Sequence, residues 1–360
     1  MAQWSDLPPD LVVSIAKRVL LLEDFIVFGA VCRSWKSTAT KENFTRTHQV
    51  PLLMLPEKKG TTAREFYSLK HGKVFKQNMP ELVTGKLFYS SLGWLMTQSD
   101  KDSEVNLLHP LNHMCIELPD VETFKNLHSK EEHRKLFGDF IVGKFVLSSS
   151  PSWTSDYTVM IHSCKRLAFC RPGLGDQQWN VIDSSKTNDR LYFDVTYYEG
   201  KFYAVDYFGE ICVCEIEDPK APAKTRVIVP RLPYEFKSPY IIEKLYLVES
   251  VGALLLVKCP IETIEYFRVF EVPMSDGNWS NSEVKNLGNR SLFLGCNSSF
   301  SAEASNYGCK ANCIYYTNRP LQRQQGEDMG IFNMEDGKVE SYVKESLNFL
   351  APHLWVEPSL

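Results

Sequence analysis

Apolar and polar positions along the chain follow two different periods, and the change between them lies near residue 45. In the first part, Leu7-Pro8-Pro9-Asp10 combines prolines with an acidic residue, which is typical of the first turn of a helix. At 100° per residue, the apolar side chains between Leu11 and about Leu20 cover an arc of roughly 200°. This arc is about twice the apolar stripe of an ordinary surface helix. The pattern therefore predicts a helix with more apolar surface than one neighbour can cover.

Two further helices are predicted in the same region. One is centred on Asp24–Phe28 and ends near Val31–Cys32, and a short third helix begins at Arg33 or Ser34 and carries Trp35. Three short helices in about 40 residues can bury one shared face but have too little mass to bury two. The remaining apolar surface must contact either the rest of this chain or a partner protein.

After residue 50 the pattern changes to short β-rich runs between turn residues. The sequence Asp194–Asp206 predicts a hairpin with its turn at Glu199-Gly200, and clusters of such strands recur every 40–50 residues or so. This spacing matches four-stranded propeller blades, and about six would fit between Val50 and Leu360. A β-sandwich is the alternative, although a single sandwich rarely contains about 300 residues. The predicted strands are Val50–Leu55, Phe66–Leu69, Lys86–Tyr89, Gly93–Met96, Val105–Leu108, Phe140–Leu147, Tyr157–His162, Leu167–Cys170, Arg190–Tyr198, Lys201–Val205, Ile211–Ile216, Lys244–Glu249, Ala253–Lys258, Phe267–Val272, Cys313–Thr317 and Gly330–Asn333.

Composition and charge narrow the function classes. The chain has 360 residues, of which 40 are basic and 44 are acidic, so its net charge is −4. It therefore lacks the excess of basic residues that binding to nucleic acid or to an anionic membrane requires. The N-terminus does not resemble a signal peptide, and the apolar runs are too short to span a membrane. The ten cysteines do not form a disulfide pattern. We therefore expect a protein of the nucleus, the cytoplasm or both.

The sequence contains few residues that could form a catalytic or metal-binding site. His109 and His113 lie in a His-Pro-Leu-Asn-His segment that favours a turn over a metal site. Cys212 and Cys214 alternate along one strand, as buried small apolar residues do. Asp194 and Asp206 would more often cap turns than act as a catalytic pair. We expect no catalytic residue, no cofactor and no metal ion.

The N-terminal residues resemble the F-box. Trp4-Ser5-Asp6-Leu7-Pro8-Pro9-Asp10-Leu11, a spaced Ile15 and Val31-Cys32-Arg33-Ser34-Trp35 match both ends of that motif, although Leu20-Leu21-Leu22 stands where many members have Leu-Pro. By this resemblance the segment docks on a Skp-family adaptor, which bridges to a cullin–RING ubiquitin ligase. The adaptor contact is carried as a group by Leu7, Pro8, Leu11, Ile15, Val31, Cys32 and Trp35. Large apolar anchors usually dominate such interfaces, which favours Leu11 or Pro8, whereas Trp35 and Ile15 could equally be internal.

The remainder resembles a domain of unknown function common in plant F-box proteins. Asn106–Leu111 followed by Ile116–Pro119, and Met329–Asn333 farther on, fit its motifs, although His109 stands where Asn is usual. The resemblance implies a kelch-like fold. The predicted fold class is α+β and multidomain, with a three-helix F-box at residues 1–45 and a mainly-β, propeller-like target-recognition domain of about six blades at residues 46–360.

These features together predict the non-catalytic substrate receptor of a Skp–cullin–F-box (SCF) ubiquitin ligase, with an unidentified target protein and no nucleic-acid or membrane partner. Two alternatives stay open: an adaptor-binding scaffold without a ligase role, and a β-propeller enzyme or glycan binder whose helices pack inward. The charged segment Val121–Phe137 is interpreted as a solvated helix or loop. Candidate target-binding loops are Ser99–Glu104, Pro219–Lys224, Pro233–Pro239 and Asn318–Asp328.

Overall fold

A computed structural model of the chain describes most of its residues. The described ranges are 4–19, 22–44, 51–56, 63–79, 86–99, 104–110, 113–120, 142–163, 166–184, 190–217, 221–233, 243–260, 266–295, 298–304, 308–317, 329–340 and 354–357. Three of the segments singled out above lie outside these ranges wholly or mostly: Val121–Phe137, Asn318–Asp328 and Pro233–Pro239. Of the other two candidate loops, Ser99–Glu104 is described only at its two end residues, and Pro219–Lys224 is described from residue 221 onward.

Three short α-helices form the N-terminal region: α1 (Pro9–Ala16), α2 (Leu22–Ala30) and α3 (Arg33–Thr38). Helix α1 is shorter than predicted, because the chain leaves the α-helix after Ala16 and continues in a turn that includes Lys17. Within the described residues, no helix has both the length and the apolar character needed to cross a membrane.

The β region is a six-bladed propeller, as predicted, and the pairing pattern excludes the sandwich. From the central channel outward, its strands are β25 (Leu354–Val356), β1 (Leu52–Met54), β2 (Ala63–Ser68) and β3 (Lys73–Asn78) in blade 1; β4 (Lys86–Ser91), β5 (Trp94–Ser99), β6 (Val105–Leu108) and β7 (Cys115–Leu118) in blade 2; β8 (Lys144–Leu147), β9 (Val159–Ser163), β10 (Arg166–Cys170) and β11 (Asn180–Ser184) in blade 3; β12 (Tyr192–Tyr198), β13 (Lys201–Asp206), β14 (Ile211–Glu215) and β15 (Lys224–Val229) in blade 4; β16 (Glu243–Ser250), β17 (Ala253–Pro260), β18 (Arg268–Glu271) and β19 (Glu283–Val284) in blade 5; and β21 (Ser299–Glu303), β20 (Arg290–Leu294), β22 (Cys313–Thr317), β23 (Met329–Asn333) and β24 (Val339–Glu340) in blade 6.

The core lies between neighbouring blades rather than inside one sheet. Each of the six blade-to-blade interfaces has its own buried apolar cluster. Strand β1 shows why: Leu52 and Met54 face blade 2, whereas Leu53 packs on the other side against blade 6. Successive side chains of a strand point to opposite faces, so a blade covered on both sides needs an uninterrupted apolar run.

Ring closure depends on the C-terminal strand. β25 pairs antiparallel with β1, with Leu52 opposite Val356, and so supplies the innermost strand of blade 1. Trp355 is fully buried against Phe293 and Tyr315 of blade 6. Closing the ring in this way leaves no long open edge between the first and last blades.

Two features depart from a regular succession of blades. In blade 6 the innermost strand, β21, follows β20 in sequence, and the chain then returns so that β22 runs parallel to β20. Blades 3 and 4 are joined by a short parallel pairing of β11 with β15, Asp183 opposite Lys224 and Ser184 opposite Thr225.

Candidate functional site

The three helices share a compact core drawn from their own residues. The fully or mostly buried members are Val12, Ala16, Phe25, Phe28, Trp35 and Phe44. Trp35 is the centre of this cluster: its ring lies 4.6 Å from that of Phe28, and its indole N–H donates to the carbonyl of Trp4 at 3.2 Å. Trp35 therefore holds the helices together, which is one of the two roles expected for it.

Helix α1 begins as its prolines predict. Pro8 is the N-cap residue, with φ −55° and ψ 141°, and its carbonyl accepts hydrogen bonds from the backbone N–H groups of Leu11 and Val12 at 3.0 and 3.2 Å. Proline fits this position because its missing N–H group would have no partner inside the helix. Asp10 lies in the first turn, where the positive end of the helix dipole favours an acid.

The helices keep apolar surface that their own core does not cover. Val12 and Ala16 are completely buried, but Leu11 lies on another side of α1 and is 52% exposed. Val31, between α2 and α3, is 51% exposed. The excess apolar arc of α1 is thus divided between the core and solvent.

The structure separates the seven predicted contact residues into three groups. Pro8, Leu11 and Val31 are exposed; Leu7, Ile15 and Cys32 are half-buried at the edge of the core; Trp35 is buried. Two further exposed apolar side chains, Trp4 and Val27, were absent from the prediction. The sequence held a signal for Val27, because the helical period places it away from the face formed by Phe25 and Phe28.

Among the described residues, a long polar contact joins the helices to the propeller. Asp24 on α2 has a carboxylate oxygen 3.8 Å from Nε2 of His71, which lies in the turn between β2 and β3, and both side chains are substantially exposed. An exposed pair at this distance contributes little to stability.

The other candidate residues have structural positions. His109 is fully buried with its ring edge-on to that of Trp94 at 5.1 Å, and its carbonyl accepts from the backbone N–H of His113 at 3.1 Å. Cys212 and Cys214 are both buried on β14, and burial raises the pKa of Cys212 to about 12. In the part of the chain that the structure describes, no three His, Cys, Asp or Glu side chains are arranged to hold a metal ion.

The two predicted turn-capping acids differ in role. Asp206 does cap a turn, since its Oδ1 accepts from the backbone N–H groups of Phe208 and Glu210, and its Oδ2 lies 3.1 Å from Nη1 of Arg190. Asp194 caps no turn: it lies in mid-strand on β12, where it pairs with the ammonium group of Lys144 at 2.6 Å.

Comparison with known proteins yields two family matches. The model of the KIB1-4 β-propeller matches residues 66–333, and the model of the F-box domain matches residues 4–47. The kelch-like character expected from the resemblance is not confirmed by these matches.

Similar proteins are known from Arabidopsis thaliana. F-box protein SKIP23 is 26% identical, with 99% of this chain and 95% of the relative covered, and putative F-box protein At5g55150 is also 26% identical, with 99% and 98% covered. Among solved structures, the Malassezia sympodialis allergen Mala s 1 aligns over 82% of this chain and 85% of its own, at 11% identity and a TM-score of 0.37.

Proposed function

Because this chain belongs to the KIB1-4 β-propeller family and carries an F-box domain, we propose that it is the substrate-recognition subunit of an SCF ubiquitin ligase. One observation carries the proposal: the helical region completes its own core and still leaves Leu11 and Val31 about half exposed. Exposed apolar side chains that together form a patch mark a surface that a partner covers, and the F-box match points to an adaptor as that partner.

The proposed adaptor contact divides into direct and supporting residues. Pro8, Leu11 and Val31 are accessible and would contact the Skp-family adaptor. Leu7, Ile15 and Cys32 lie at the edge of the core and would shape the border of the interface. Trp35 is a supporting residue, because its ring is enclosed by the helices.

The proposed mechanism is proximity rather than catalysis by this chain. The adaptor would connect the F-box to the cullin–RING ligase, and the propeller would hold a target protein near the ubiquitin-charged enzyme. Tethering of this kind raises the effective concentration of the target without any new chemical group. The ligase partners would supply the chemistry, and a location in the nucleus or cytoplasm is part of the same proposal.

Copurification with a tagged Skp-family adaptor tests the proposal. Leu11→Asp places a charge in the proposed interface but should keep α1 intact, because Leu11 is half exposed and an acid suits the first turn of a helix. If Leu11 is an anchor, the change costs about 2 kcal/mol or more, which is roughly 30-fold in affinity. Pro8→Ala should weaken binding less.

The matched control is Leu174→Asp, the same change at a propeller residue that is 70% exposed. It should leave adaptor binding unchanged. Normal binding by Leu11→Asp would refute the proposed contact. Cullin in the purified complex would support the ligase role, whereas adaptor without cullin would favour a scaffold.

A further inference from the structure

A cavity of about 350 Å³ with a mixed polar and apolar wall opens at one end of the central channel. The inner strands of all six blades contribute to it. Ser91 of β4, Tyr197 of β12, Glu249 of β16 and Glu357 just after β25 lie at or near C-terminal strand ends, whereas β8 and β21 contribute from their first residues onward. Cavities of this size are typical of ligand sites. It opens on the face at which β1 begins, since Leu52 is opposite Val356.

The described charges in the cavity wall leave a negative excess. Lys144 contributes one positive charge, but its ammonium group is already paired with Asp194. The other two charged residues of the wall, Glu249 and Glu357, are acidic, and no described residue lies within ion-pair distance of either. Oε1 of the exposed Glu249 accepts a hydrogen bond from the backbone N–H of Gly252 at 2.9 Å, which leaves its other oxygen available. Arg290 is near Glu357 and offsets part of its charge, and its Nε donates to the hydroxyl group of Ser301 at 2.9 Å.

The environment of Glu357 shows that this excess is only partly compensated. Burial raises the pKa of the Glu357 carboxyl group, the neighbouring Glu249 raises it further, and Arg290 lowers it only partly. A carboxylate in this position is destabilised until a positive charge approaches it. The cavity thus favours a cationic ligand on electrostatic grounds.

Other groups in the wall suit a planar cation that also donates hydrogen bonds. Trp153 is 63% exposed and contributes an indole ring. The wall also contains serine hydroxyl groups, of which Ser299 Oγ is buried and has no hydrogen-bond partner among the described residues. Guanidinium groups stack on indole rings and donate to several oxygen atoms at once, which an ammonium group does less well.

We propose that this cavity binds an arginine side chain of the target polypeptide, with Glu249 and Glu357 as its carboxylate partners and Trp153 as its stacking surface. The inference rests on the proposed function, because it assumes that the propeller holds a protein target. It assigns the recognition surface to the channel mouth rather than to the peripheral loops.

Selection of random dodecapeptides displayed on phage tests the proposal, with the full chain in complex with the Skp-family adaptor as bait. Arginine should be enriched at one position, in preference to lysine. Replacing that arginine by citrulline, its neutral isostere, should weaken binding about tenfold or more, as should the double variant E249Q/E357Q. Trp153→Ala should weaken it about threefold.

Two controls keep the result specific. Glu199→Gln makes one Glu→Gln change in the exposed turn after β12, outside the cavity wall, and Phe208→Ala removes an exposed aromatic ring elsewhere. Both should leave peptide affinity within about twofold. Absence of basic enrichment, equal binding of the citrulline peptide, or unchanged binding by E249Q/E357Q would each overturn the proposal.

The peptide-binding experiment and the adaptor experiment can fail independently of each other. E249Q/E357Q should copurify with the adaptor normally. Leu11→Asp, compared with the unchanged chain when neither has adaptor bound, should bind the selected peptides normally. Normal adaptor binding by Leu11→Asp would remove the proposed F-box contact and leave the cavity result standing. Loss of arginine selectivity in the cavity would leave the adaptor contact untouched.

Discussion

The ammonium group of Lys144 lies 2.6 Å from Oδ1 of Asp194, and the two side chains are only 6% and 3% exposed. The pair connects β8 with β12, and the second oxygen of the same carboxylate accepts from the backbone N–H of Leu247 on β16 at 2.8 Å. One carboxylate therefore joins the inner strands of three consecutive blades beside the channel.

Breaking this pair should destabilise the propeller. Asp194→Ala leaves a buried ammonium group without its partner, which typically costs about 3–5 kcal/mol. For a domain of this size we expect the midpoint of thermal unfolding to fall by roughly 5–10 °C. Lys144→Met should also be destabilising, and the double variant should lose less than the sum of the single losses.

An exposed ion pair provides the control for this cycle. Lys310 and Glu340 pair on the surface with both side chains about half exposed, so Glu340→Gln should change stability by about 1 kcal/mol or less. Equal, small losses for Asp194→Ala and Glu340→Gln would show that the buried pair does not couple the blades.

The helical region should depend on Trp35 more than on any exposed aromatic residue. Trp35→Ala removes the ring that contacts Phe28 and should cost about 3–5 kcal/mol, more than a bundle of some 40 residues can lose. We expect fast hydrogen exchange across α1–α3, loss of adaptor binding and an unchanged propeller. Trp4→Ala, at a side chain that is 69% exposed, should preserve slow exchange. Protected amides in Trp35→Ala would contradict the supporting role assigned to this residue.

The propeller should require β25 for closure. A chain that ends at residue 353 lacks the strand that pairs with β1 and buries Trp355, so blade 1 would expose an unpaired edge. We expect the unfolding midpoint to fall by more than about 10 °C. A synthetic peptide of residues 351–360 should restore part of the loss by strand addition, and its Trp355→Ala version should not. A truncated chain with unchanged stability would show that closure occurs in another way.

Local features of the fold were predictable because their signals lie within a few residues. The hairpin turn at Glu199-Gly200 is confirmed at the predicted positions: both residues have positive φ, and Tyr198 is opposite Lys201. An acidic residue followed by glycine between two apolar runs favours such a turn through local sequence alone. The same holds for the start of α1 at its prolines.

Contacts between segments that are far apart in the chain have no comparable local signal in the sequence. The pairing of β25 with β1 joins segments about 300 residues apart, and the insertion of β21 inside β20 reverses the usual order of a blade. Asp194 was expected to cap a turn because no local signal places Lys144 beside it. Glu249 and Glu357 likewise meet in one cavity only when the ring closes.

Glu357 should make stability depend on pH in a defined direction. Its pKa is raised above the ordinary 4.5 by burial, so the folded protein holds a proton that the unfolded chain releases at a lower pH. Stability therefore falls as pH rises through the interval above 4.5. Glu357→Gln removes this penalty, so it should raise the unfolding midpoint at pH 7–8 and have a progressively smaller effect towards pH 4.5.

The control for this pH dependence is Glu199→Gln, at an exposed glutamate, which should show no such trend. A variant that gains stability while losing peptide affinity would show that the carboxylate is kept for binding at a cost in stability, whereas a loss of stability at pH 7–8 would mean that Glu357 already has a cationic partner within the folded chain.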